Sequence, residues 1–158
     1  MVSRVSRAGF TLLEILIVVM ILGILAAIVV PRFAGATDDA RSSATEATVA
    51  SVRASIAAFR SRAVMQGTDP FPTLDQLNTA GVVMTETVPA NPFTGVSGIQ
   101  AVSQTQAEDR AVIDPDSAGW NYYVNNNASP PQAIFYANSD SETTVPDGAG
   151  GTYTANEL

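Results

Sequence analysis

The sequence predicts an α+β fold, on three observations. A helical pattern runs from Phe10 to Met65 in two halves, apolar on every side up to Val30 and amphipathic from about Thr37. Breakers then cluster at Gln66-Gly67, Asp69-Pro70 and Phe71-Pro72. Beyond them lie three short strand candidates, Ile99 to Val102, Trp120 to Val124 and Ala133 to Tyr136; the last two are rich in aromatic and β-branched residues. A small antiparallel meander packed on the amphipathic half of a long helix is the simplest assembly of these parts.

The first half of the helix sets the problem. Ile15 to Val30 holds only apolar residues and Gly23. Counted from Phe10 the segment has about twenty residues, or roughly 30 Å of helix, close to one bilayer hydrocarbon core. A helix that is apolar all round, in a chain this small, suits lipid better than a soluble core. Arg4, Arg7 and the α-amino group precede it, whereas Asp38 and Asp39 soon follow Arg32. That bias puts the N-terminus in the cytoplasm and the bulk of the chain across the membrane.

Glu14 stands against the pattern. A carboxylate in an apolar span costs about 2.5–3.5 kcal/mol at mid-membrane, and less near an end. Either Glu14 sits shallow enough to reach the interface, or it meets a cation after assembly. No Lys or Arg lies in the span, so that cation would come from another chain or from a chain terminus.

Gly9-Phe10-Thr11-Leu12-Leu13-Glu14, then an apolar run, then Pro31, resembles the class III signal of type IV pilins and type II secretion pseudopilins. The resemblance implies a pilin-like fold and a prepilin peptidase that removes residues 1–9 by cutting between Gly9 and Phe10. It also implies N-methylation of Phe10, and pairing of Glu14 with the N-terminal amine of a neighbouring subunit. Residues 10–36 would then be the transmembrane and fibre-core helix. Residues 37–158 would be the exported domain, including the second half of the long helix. The rival is an ordinary secretory signal cut near Ala34-Gly35-Ala36. Its apolar region would exceed the usual length of about 7–15 residues and would contain Glu14.

Composition narrows the function. The formal charge is −7, and loss of Arg4 and Arg7 takes it to −9. Nucleic-acid binding is disfavoured, because phosphate contacts need Lys and Arg. The chain has no Cys and no His, which removes disulfides and the commonest acid–base and nucleophilic groups. Asp114 and Asp116, on either side of Pro115, read as a turn, and an enzyme is not expected. Many type IV major pilins close a C-terminal loop with a disulfide, so the lack of Cys counts against that branch.

Taken in order, Pro31 removes a helical N–H donor and is expected to kink or loosen the helix, as the resemblance also implies. Ala40, Ala44 and Ala47 then recur at helical spacing, and Val49, Val52, Ile56, Phe59 and Ala63 form a core stripe. If helical throughout, Phe10 to Met65 extends roughly 80 Å at about 1.5 Å per residue. Thr73 to Leu77 reads as a short helix with Thr73 as N-cap and Gln76 at the capping-box position, ended by Gly81. Phe71-Pro72-Thr73 and the later Pro89-Ala90-Asn91-Pro92-Phe93 loop resemble turns of the major pseudopilins. Trp120, Tyr122 and Phe135 read as core rather than a ligand platform.

The C-terminal stretch Asn138 to Glu142, followed by Asp147-Gly148, gathers oxygen ligands of the kind Ca²⁺ takes, about six to eight per ion. Major pseudopilins hold calcium in a loop at this place, which makes Asp140, Glu142 and Asp147 candidate ligands. The family's adjacent acidic pair near the loop's end is missing here, and a solvated acidic tail is the alternative.

The reading is a major pseudopilin: a bacterial inner-membrane subunit with a periplasmic domain, polymerising with its own copies into a helical fibre that helps export folded proteins. Its expected partners are minor pseudopilins, an inner-membrane assembly platform, the prepilin peptidase and, before assembly, lipid. The alternatives are a type IV pilus pilin for adhesion or motility, and a membrane-anchored binding domain that never assembles.

Overall fold

The computed structural model describes residues 9–158, and the first eight residues of the expected leader lie outside them. The chain divides into two compact units, Met1–Thr37 and Asp38–Leu158. The elements are α1 (Leu12–Gln66), α2 (Leu74–Asn78), β1 (Ile99–Ala101), α3 (Gln104–Glu108), β2 (Trp120–Asn125), β3 (Gln132–Ala137), β4 (Glu142–Pro146) and β5 (Thr152–Thr154). A 3₁₀ turn, Ala155–Glu157, follows β5.

Helix α1 is assigned without interruption through Pro31, which cannot donate the hydrogen bond that the Ala27 carbonyl would otherwise accept. It ends where glycine permits: Gly67 has φ 67°, and Thr68 N–H donates to the Ala63 carbonyl at 3.0 Å. In the second unit α1 contributes Val49, Val52 and Ile56 to a core shared with Trp120, Tyr122 and Phe135. The rings of Trp120 and Phe135 stack with centroids 5.5 Å apart. The expected core stripe is therefore the core, except that Phe59 packs at its edge. One turn earlier the helix buries Ser42 and Thr45 instead. Ser42 Oγ donates to the Asp38 carbonyl at 2.8 Å and accepts the Thr144 N–H of β4 at 3.0 Å.

The three-stranded sheet has the order β1-β2-β3. Strands β2 and β3 are antiparallel, with Trp120 opposite Ala137 and Tyr122 opposite Phe135. The expected meander fails at its first strand, because β1 pairs with β2 in parallel, Ile99 beside Trp120. Parallel neighbours need a crossover, and residues 102–119 supply it.

That crossover carries α3, which the sequence reading missed although Ser103 and Gln106 spell the same capping box as Thr73 and Gln76. It also covers the far face of the sheet. Asn121 and Tyr136 point away from α1 yet are fully buried, and Tyr136 Oη donates to the Ala111 carbonyl at 2.9 Å.

The two resembling turns are anchored to β2 and its following turn. Phe71 N–H donates to Asn126 Oδ1 and Asn126 Nδ2 donates back to the Phe71 carbonyl, both at 2.9 Å. Tyr122 Oη donates to the Pro72 carbonyl at 2.8 Å, and burial pushes this phenol well above its ordinary pKa. Trp120 Nε1 donates to the Pro89 carbonyl at 2.7 Å, while buried Asn91 donates to the Gly119 carbonyl at 2.8 Å.

Candidate processing and assembly site

Gly9, Phe10 and Thr11 lie outside the helix, and Gly9 and Phe10 are exposed. Helix α1 begins immediately after, and Thr11 caps it. Thr11 Oγ1 accepts the Glu14 N–H at 3.2 Å, and the Thr11 carbonyl accepts the N–H groups of Glu14 and Ile15 at 3.1 and 3.3 Å. The cap was legible as Thr-x-x-Glu ahead of an apolar run, and the sequence reading passed over it.

Glu14 thus sits in the first turn, where the helix dipole favours negative charge. It is exposed, and the one ion pair among the described residues is Arg41–Asp38 at 3.9 Å, far along the chain. Around it the apolar surface is bare: Phe10 is 80% exposed and Leu12 86%. Helix α1 is long and apolar enough to cross a membrane, with a window of mean hydropathy 3.1 that is not buried within the chain. Such a bare apolar surface suits burial by lipid or by other chains.

The acidic C-terminal stretch runs from the segment after β3 through β4 into the β4–β5 turn. Asn138 is fully buried and faces the crossover, and Glu142 opens β4, pairing with Thr154 of β5. Thr143, Thr144 and Val145 had carried the β-branched signal of that strand. Asp147 closes the β4–β5 turn: its Oδ1 accepts the N–H groups of Ala149 and Gly151 at 2.7 and 2.9 Å. These backbone donors hold its pKa below the ordinary carboxylate value. Among the described residues no three Asp or Glu side chains gather where they could hold an ion. Asp140, Glu142 and Asp147 do not form such a group.

Comparison with known proteins points to the N-terminal region. Residues 4–30 match the prokaryotic N-terminal methylation motif. The chain carries an N-terminal methylation motif. It is 53% identical over 49 residues to the type IV narrow pilus major component PilA5 of Thermus thermophilus, a match covering 31% of this chain and 42% of that protein. It is 38% identical over 58 residues to the type II secretion system core protein G of Pseudomonas aeruginosa, covering 37% of this chain and 41% of that one. The chain spans less than half the length of these relatives, and no solved structure matches it.

Proposed function

We propose that the chain is a structural fibre subunit, a major pseudopilin of a type II secretion system. It would enter the bacterial inner membrane with its N-terminus cytoplasmic, be cut between Gly9 and Phe10, be N-methylated on Phe10, and then polymerise. The observation that carries this reading is Glu14, a carboxylate at the head of a bare apolar helix with no cation beside it among the described residues. Cleavage after Gly9 would create an amine four residues before Glu14. Within one chain the capped first turn engages the Glu14 N–H with Thr11. An amine from a neighbouring copy would meet its carboxylate and offset the cost of an unpaired charge in an apolar surrounding.

Co-expression with a prepilin peptidase, followed by sequencing of the mature N-terminus and electron microscopy of fibres, tests this. A chain beginning at N-methylated Phe10 and fibres that vanish in Glu14→Ala are expected. A chain beginning at Thr37, or normal fibres from Glu14→Ala, would overturn it.

The higher of the two reported identities, to a type IV pilus component, favours a second reading as a pilus pilin. Deletion of the gene separates the two. Accumulation of exported proteins in the periplasm supports the pseudopilin, and loss of surface fibres with secretion intact supports the pilin.

A further inference from the structure

We infer that Arg60 and Arg110 form a socket for a carboxylate side chain of a second copy of this chain. The inference rests on the assembly reading above but on different residues. Arg53 and Arg60 of α1 and Arg110, just past α3, line a cleft of about 260 Å³ floored by Phe71, Ile134 and Phe135, and no acidic side chain lines it. Three of the chain's eight basic residues thus converge in a protein of net charge −7.

Arg53 is already engaged. Its Nη2 donates to the carbonyls of Phe135 and Leu158 at 3.1 and 2.7 Å. The other two guanidinium groups lie over aromatic rings: Arg60 is 4.9 Å from the Phe71 ring centroid and Arg110 5.4 Å from that of Tyr136. A cation over a ring face uses none of its N–H donors, and neither side chain donates a hydrogen bond among the described residues. Arg110 Nη1 is closed to solvent and has no hydrogen-bond partner among the described residues; a carboxylate reaches it once the side chain turns toward the cleft, and pairing there relieves the cost of an unpaired buried donor.

The backbone adds a second sign. Arg110 sits at φ 53° in the position after α3 where glycine is the usual residue, with Ala111 N–H donating to the Gln106 carbonyl at 2.8 Å. A guanidinium stands where the main chain alone would favour glycine.

The occupant follows from size and charge. The cleft is smaller than the usual site for an organic ligand, about 300–1,000 Å³. A planar carboxylate on a side chain fits both the space and the donor edges. Copies that share a net charge of −7 repel one another unless local complementarity opposes it. The chain's Asp and Glu number fifteen, and one of them is in an ion pair among the described residues.

The test uses the full chain in detergent micelles and in membranes, with a photoreactive benzophenone amino acid at Ala57, an exposed residue on the rim of the cleft. Illumination is expected to give covalent dimers whose mapped peptide carries Asp or Glu. Dimer yield is expected to fall at least fivefold in an Arg60→Gln, Arg110→Gln double variant and to be retained in Arg60→Lys, with circular dichroism confirming that each remains folded. Sodium acetate should compete more strongly than sodium chloride of equal ionic strength. No dimer, or a dimer unaffected by loss of the two charges, overturns the socket. Acetate binding without dimers does so too, by assigning the cleft to free small carboxylates. Fibres without the cross-link sink the socket and leave the fibre reading standing; the cross-link without fibres does the reverse.

Discussion

Asn138 of the segment after β3 accepts the N–H of Ile113 at 2.9 Å and donates to the Ile113 carbonyl at 2.6 Å, pairing with that residue as a neighbouring strand would. Its amide also donates to the Ala118 carbonyl at 2.7 Å, and its oxygen accepts from Asn121 Nδ2 at 2.9 Å. One fully buried side chain therefore fastens the crossover to the sheet.

Asn138→Ala leaves these groups without partners in a site closed to water. Stability is expected to fall by about 2–3 kcal/mol, the cost of orphaning buried polar groups. Urea unfolding measures it, and a loss under 1 kcal/mol would mean that the crossover is held by other contacts.

Gly119 is constrained by space. A Cβ at this position would overlap the Val96 carbonyl oxygen, a backbone atom with little room to move. Gly119→Ala should push the 91–96 loop off β2 and cost about 1–3 kcal/mol, as overpacking does. A matched melting curve for the variant would refute this close approach.

Thr11→Val removes the cap of α1 while keeping shape and β-branching. The first turn should weaken by about 1 kcal/mol. Hydrogen exchange at the Glu14 amide in detergent micelles should speed up several-fold, with amides beyond Leu16 unchanged.

Asp147 gives a pH signature. Its folded pKa lies below the ordinary value of 3.8, so its contribution is complete above about pH 4 and is lost as pH falls through the folded value. The melting difference between the wild type and Asp147→Asn should therefore be largest near neutrality and shrink in acid. A difference that grows as pH falls would contradict the turn geometry.

Calcium bears on the same turn. With Asp147 Oδ1 occupied by two backbone N–H groups and no acidic triad beside it among the described residues, millimolar calcium is expected to leave the melting midpoint unchanged. A rise that disappears in Asp140→Asn would restore the acidic stretch as a metal site.

Several elements could be read before any coordinates. Thr73 and Gln76 announced α2 because capping is a local exchange between a side chain and nearby backbone. Val49, Val52 and Ile56 announced the core face of α1 because a helix repeats every 3.6 residues. Sidedness in the sheet was less legible. Asn121 and Tyr136 alternate with the inward residues as solvent-facing residues would, but the crossover covers them.

The sequence by itself determined the apolar helix, the Gly9-Phe10 junction, Glu14 and the long helix's core stripe, since each depends on neighbours in the chain. Tertiary structure decided the parallel pairing of β1, the inward turn of Asn138, the place of Glu142 in β4 and of Asp147 in the turn after it, and the meeting of Arg60 with Arg110. Those depend on residues far apart in sequence, whose approach is set by how the crossover closes over the sheet and by which polar groups must be satisfied when it does.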